Sequence, residues 1–313
     1  MRTMIQIALI PVLMSGAACG GAPEATDTDG VRVVATTNIV GDLVRTIGGP
    51  QVEVEALMGP GIDPHLYKAS AGDVRRMSSA EAIFYNGVHL EGKMSEVLER
   101  MGGPGVSTVA VAECVPANEL IESAGFSGLH DPHVWFDVVL WSKTVGCVVE
   151  TLVALDPENE AGYLERADAY QAELSALDGW VRERVEALAP DQRVLVTAHD
   201  AFVYFGRAYG FEVRGLLGVS TAAEAGTSDV QELADFIVKR EIPAIFVETS
   251  VPPRYMQALQ EAVRAQGFAV EIGGSLHSDS LGNPGTPAGT YAGTVRENVE
   301  TIVTALVAPE EAE

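Results

Sequence analysis

Between residues 156 and 189, apolar side chains recur every three or four positions, at Tyr163, Ala167, Tyr170, Leu174, Leu177, Val181, Val185 and Leu188. That spacing places them on one face of a helix. Pro157 suits a first turn, Asp156 before it can cap the N-terminus, and Pro190 stops the run. The predicted helix has about thirty residues, or roughly 45 Å at 1.5 Å per residue. A rod of that length is wider than a small domain, so the chain on either side must pack along it. It also makes a stiff joint, which restrains large movements of whatever it connects.

On both sides of the rod, strands and helices alternate. Val31 to Thr36, Val52 to Leu57, Ala82 to Tyr85 and Val106 to Val111 read as strands. Helical patterns lie between them, over Val40 to Ile47, Ala71 to Met77 and Met94 to Met101. After the rod, strands are predicted at Val194 to Thr197, Glu212 to Leu217, Ala244 to Val247 and Ala269 to Ile272. Helices fit Phe202 to Tyr209, Asp229 to Arg240, Arg254 to Gln266 and Thr290 to Leu306. This rhythm predicts an α/β protein with parallel sheets and crossover helices. A chain of 313 residues is too long for one ordinary core. Two α/β lobes of similar build are expected, over residues 31–155 and 190–308, with residues 156–189 as the linking helix.

The N-terminus has a different character. Arg2 is the only charge before Glu24, Met4 to Met14 is a short apolar run, and Ser15-Gly16-Ala17-Ala18-Cys19 follows. A positive start, a short apolar middle and a small-residue exit describe a secretory signal over residues 1–19, too short for a stable membrane span. Cys19, after two alanines and before Gly20-Gly21, fits a lipoprotein cleavage site, although Gly16 stands where Leu is usual. A lipid-anchored protein is favoured over a plain secreted one, and residues 20–30 read as a tether. The chain is thus expected outside the cytoplasm, in the periplasm or at the cell surface. Three cysteines make no disulfide framework, and Cys114 and Cys147 are expected as two buried thiols, with a disulfide between them as the alternative. Lys and Arg total 20 against 44 Asp and Glu, a net charge of −24, which argues against nucleic acid as a partner.

There are six histidines. Two share a tripeptide, Asp63-Pro64-His65 and Asp131-Pro132-His133. Proline fixes its own backbone and biases the residue before it away from helix, so each His sits in a constrained loop. His199 follows the strand at Val194 to Thr197, and Asp279 holds the equivalent place after Ala269 to Ile272. Open α/β sheets bind their ligands beyond the carboxyl ends of strands. The four fall two per lobe, so as metal ligands they would meet in the cleft between lobes. On spacing alone, metal ligands and ordinary loop residues stand as equal readings.

Five segments break the tie. They are Gly61-Ile62-Asp63-Pro64-His65-Leu66-Tyr67, Asp131-Pro132-His133-Val134-Trp135-Phe136-Asp137, Thr197-Ala198-His199-Asp200-Ala201-Phe202, Gly218-Val219-Ser220-Thr221 and Ser278-Asp279. With Tyr85-Asn86-Gly87, His89-Leu90-Glu91 and Arg207-Ala208-Tyr209-Gly210-Phe211, they resemble the zinc/manganese substrate-binding proteins of ABC importers, in order and from about Val31 to Leu306. The resemblance implies two α/β lobes bridged by one long helix. It implies metal ligands at His65, His133, His199 and Asp279, with zinc as bound cargo and manganese as a second candidate. The implied partner is the permease of an ABC importer, with the receptor a monomer held to the membrane through Cys19.

The third ligand is where such proteins differ. Manganese-dedicated relatives usually carry Glu there, whereas this chain has His199. The long His-rich loop of zinc-dedicated relatives is absent, since residues 113–131 contribute only His130. Three imidazoles and a carboxylate favour zinc. Proton competition is expected to weaken binding below about pH 6. His89 is expected to be structural, and His130 and His277 to face solvent. Glu248 is expected either to orient a ligand His or to hydrogen-bond between lobes. Three other readings are a surface adhesin with a structural metal, a zinc hydrolase, and a periplasmic receptor for a metal chelate or small organic solute. The hydrolase would need an open coordination position, which four protein ligands do not leave. No enzymatic activity is expected.

Overall fold

The computed structural model describes residues 30–102, 105–123 and 128–307. The expected signal peptide over residues 1–19, Cys19 included, and all of the expected tether but Gly30 lie outside them.

The first lobe is built on β1 (Val31–Thr37), β2 (Val52–Met58), β3 (Ala82–Tyr85) and β4 (Ser107–Ala110), all parallel in the order β2-β1-β3-β4. The crossovers use α1 (Asn38–Gly48), α2 (Ala71–Ser79) and α3 (Ser95–Met101). α1 starts where the Thr37 hydroxyl accepts from Val40 N–H and stops at Gly49, whose φ of 61° suits glycine. Its apolar face, Ile39, Val40, Leu43, Val44 and Ile47, is buried. α2 carries a capping box: Ser70 Oγ accepts from Asp73 N–H, and Asp73 Oδ2 accepts from Ser70 N–H.

Two helices that periodicity did not predict, α4 (Val138–Ser142) and α5 (Val145–Leu155), come before the rod. The rod itself is α6 (Glu160–Val185), 26 residues or roughly 39 Å. A 3-10 turn over Pro157–Asn159 precedes it, and it ends short of Pro190. Asp156 caps no backbone N–H; its Oδ2 accepts from the Tyr163 hydroxyl and the Asn159 amide instead. The buried stripe runs from Tyr163 to Val185 and packs on α1, α4 and α5 of the first lobe and on α10 of the second. One apolar core therefore runs through both lobes along the helix, from Val31 and Ile47 through Trp141 and Leu177 to Tyr291 and Leu306.

The second lobe contains β5 (Val194–His199), α7 (Val203–Tyr209), β6 (Glu212–Leu217), α8 (Thr227–Arg240), β7 (Ala244–Glu248), α9 (Arg254–Ala265), β8 (Glu271–Leu276) and α10 (Tyr291–Leu306). Its strands form two parallel ladders, β5-β6 and β7-β8, where the first lobe has one four-stranded sheet. β5 and β7 lie side by side, and a second core packs them under α8 and α9. β5 is buried at every residue and includes His199, which thus ends the strand rather than following it. Cys114 and Cys147 form a disulfide from the turn after β4 to α5, with Cα atoms 6.4 Å apart. Both are only part-buried, so the expectation of two buried thiols is corrected.

Candidate metal centre

The two Asp-Pro-His loops use their aspartates differently. Asp63 Oδ1 accepts the backbone N–H of His65 at 2.8 Å, and its Oδ2 accepts the Thr221 hydroxyl of the other lobe at 2.5 Å. Asp131 Oδ1 accepts the backbone N–H of His133 at 2.9 Å and also meets the ring Nδ1 at 2.8 Å. The Tyr204 hydroxyl donates to the Asp131 carbonyl, and the Asn86 amide to the Pro132 carbonyl, so this loop is held from both lobes.

His199 and Glu248 end adjacent strands. Glu248 accepts the backbone N–H of His199 at 2.8 Å and meets its Nδ1 at 2.5 Å. The glutamate thus orients a ring within its own lobe, and the reading of a hydrogen bond between lobes gives way. β6 passes close enough that a Cβ on Gly215 would lie 2.4 Å from the Asp200 nitrogen, a close approach that requires glycine. Asp279 follows β8 in a loop fixed from the first lobe. Trp135 Nε1 donates to the Ser278 carbonyl at 3.0 Å, Gly61 N–H donates to Ser280 Oγ, and Asn38 bonds both backbone groups of Leu281.

These supports bring four side chains together. One ligand atom from each of His65, His133, His199 and Asp279 lies within 4.8 Å of all the others. His65 Nε2 is 3.3 Å from His133 Nε2, and Asp279 oxygens lie 3.9, 3.5 and 3.3 Å from the Nε2 atoms of His65, His133 and His199. Exposure is 5% for His65, 1% for Asp279 and 0% for the other two. His199 Nε2 and both Asp279 oxygens lack a hydrogen-bond partner, the 3.3 Å pair being poorly aligned. Buried polar atoms without partners are costly, so such a group needs an explanation. A cation held between them supplies one.

The network also sets the tautomers. With Nδ1–H donated to Asp131 or Glu248, neutral His133 and His199 turn an Nε2 lone pair inward. Burial lowers His65 to about 3, against the opposing charge of Asp279. Burial also pulls His133 down, but the Asp131 charge and hydrogen bond and the nearby Asp279 outweigh it and raise it to about 9. At His199, Glu248 and Asp279 likewise outweigh burial and hold it well above the ordinary value. Asp279 is held well below the ordinary carboxylate range, burial being outweighed by the charge of His199 and the close approach of the His133 and His199 rings. Three nitrogens and a carboxylate in a closed pocket match the donor set of a four-coordinate zinc ion.

The remaining histidines stay apart from this group. His277 turns its Nε2 toward Glu297 at 3.4 Å, His89 is exposed, and His130 is half-buried. The orienting role of Asp131 was not predicted, although its place in the repeated tripeptide could have signalled it.

The chain matches the family described as ZnuA, zinc-uptake complex component A, periplasmic, over residues 33–305. It is 49% identical over 288 residues to the zinc-binding protein TroA of Treponema pallidum (strain Nichols), covering 91% of this chain and 92% of that protein. It is 43% identical over 308 residues to the manganese-binding lipoprotein MntA of Bacillus subtilis (strain 168), covering 98% of this chain and 100% of that one. The solved structure of the periplasmic zinc-binding protein TroA superposes with a TM-score of 0.87 at 49% identity, over 89% of this chain and 100% of that chain.

Proposed function

Since this chain belongs to the ZnuA family of periplasmic zinc-uptake components, we propose that it is an extracytoplasmic receptor that captures a transition-metal ion and delivers it to an ABC-type importer. His65, His133, His199 and Asp279 are its ligands, zinc its preferred cargo and manganese its second. The observation that carries this reading is the convergence of three imidazoles on a buried carboxylate whose two oxygens have no other partner. Imidazole suits zinc, and zinc stands far above manganese in intrinsic affinity. Asp279 can bind through both oxygens and so raise the coordination number for manganese. Binding without chemistry is favoured over hydrolysis, because the fourth protein ligand fills the position that a catalytic site leaves to water.

In this reading the receptor acts as a monomer, anchored outside the membrane by a lipid on Cys19. The lobes share one core along α6, so loading and release proceed through shifts of the ligand loops more than through wide lobe opening.

The test is calorimetric titration of the metal-stripped protein with zinc and then manganese, beside His199→Glu. One tight zinc site per chain, weakened in the variant while manganese binding persists, is the expected result. No saturable site for either metal would sink the proposal.

A further inference from the structure

Two histidines outside the centre line a cavity that reaches it at His65. His65 is the most exposed of the four, and it forms part of the wall of a cavity of about 180 Å³ that also includes Val88, His89, His130 and Ser220. A neighbouring cavity of about 280 Å³ shares Val88, His89 and His130 and adds Glu113. His89 and His130 thus line both cavities, one of which reaches His65. Neither ring has a hydrogen-bond partner among the described residues.

Their placement is imposed by the fold. Val88 and His89 are consecutive residues at φ of 51° and 63°, a costly backbone for a β-branched residue that persists only where its surroundings enforce it. The enforcing group is Glu91, 2% exposed, which accepts from Asn86 N–H, Gly87 N–H and the Thr36 hydroxyl. Asn86 in turn donates its side-chain amide to the Pro132 carbonyl at 3.0 Å. That bond ties the turn of His89 to the loop carrying His130 and His133. His130 is held from the other side by an antiparallel bridge to Glu122.

We propose that His89 and His130 form a capture station for a divalent transition metal, holding the ion briefly at the cavity mouth before it passes to His65 and the buried centre. This rests on the receptor reading above. Imidazole is the ligand type zinc favours and manganese does not, and the Glu113 carboxylate and the net charge of −24 draw cations toward the site. The station lies on the path and outside the final ligand set. It therefore speeds capture and release by the same factor and leaves the equilibrium constant alone. Its effect is kinetic, and greater for zinc than for manganese.

Stopped-flow mixing of the metal-stripped protein with zinc tests this, read by tryptophan fluorescence, since the Trp135 ring lies 5.2 Å from that of His133. The variants are His89→Asn, which tolerates the left-handed backbone, and His130→Gln. In the double variant, zinc association is expected to slow on the order of tenfold. Release should slow equally, Kd should hold, and manganese association should change little. Unchanged zinc association would overturn the proposal, as would a weaker Kd with association unaltered. Wild-type protein that takes up no zinc is a separate outcome, which removes the receptor reading and this proposal together.

Discussion

Glu248 accepts both the backbone N–H and the ring Nδ1–H of His199, at 2.8 and 2.5 Å, from the end of the neighbouring strand. One carboxylate thereby fixes where the ring stands and which nitrogen faces Asp279. Glutamine has a single acceptor oxygen, so Glu248→Gln leaves one of these N–H groups facing an NH₂ group. Loss of such a supporting partner lowers metal affinity roughly tenfold to a hundredfold. Competition against a chelator of known affinity checks this, and an unchanged Kd would remove Glu248 from the site.

Asp63 joins the His65 loop of the first lobe to Thr221 of the second. Thr221→Val removes the hydroxyl and keeps the shape, so the carboxylate loses its cross-lobe partner while His65, His133, His199 and Asp279 stay in place. A hydrogen bond to a charged group contributes about 1.5–3 kcal/mol, so zinc should leave faster by roughly tenfold or more. The release rate into excess chelator reads this directly. A rate equal to wild type would show that the lobes are held together without this bond.

The disulfide closes a loop of 33 residues between the turn after β4 and α5. Restricting the unfolded chain over such a loop contributes about 3–4 kcal/mol. Cys114→Ser with Cys147→Ser should lower the denaturation midpoint accordingly. Zinc affinity should not change, because neither cysteine belongs to the group of four. Loss of affinity in a variant that remains folded would contradict that separation.

How far the sequence could be read depends on whether the signal was local. The stripe from Tyr163 to Val185 and the strand at Val194 showed in spacing, because each buries one regular set of positions. α4 and α5 did not show, since the apolar residues of Val138 to Leu155 come in runs, such as Val138 to Trp141 and Leu152 to Leu155, that mark no single helical face. β8 was placed too early because it contains Gly273 and Gly274, which propensity counts against a strand. Those glycines serve packing: a Cβ on Gly273 would lie 2.6 Å from the Ala305 Cβ of α10, and one on Gly274 2.5 Å from Thr301. The repeated Asp-Pro-His made His65 and His133 visible as a pair. Asp279 had no local mark beyond following a strand, since its position is set by Trp135, Gly61 and Asn38, far away in the chain.

Proton competition at the centre is governed by the carboxylates behind the histidines. An ordinary imidazole would yield to protons only below about pH 6. Here burial is outweighed at His133 by Asp131 and Asp279, which hold it at about 9, and at His199 by Glu248 and Asp279. With both held above the ordinary imidazole value, both rings are expected to carry protons in the metal-free protein at neutral pH and to lose them before Nε2 can bind. Zinc binding near pH 7.5 should therefore release about two protons, and affinity should climb as pH rises toward 9. Stability of the metal-free protein runs the other way in that window. A group whose folded pKa is raised contributes fully below its unfolded value, so the His133 contribution is complete below about 6.5 and is lost as pH rises to about 9. His65 is shifted down to about 3, so its contribution is present above 6.5 and is lost as pH falls. Calorimetry in two buffers of different ionisation enthalpy measures the protons released, and denaturant unfolding at pH 6.5 and 9 measures the stability. Release near zero would mean that His133 and His199 are already neutral, and that Asp131 and Glu248 do no more than hold the rings in place.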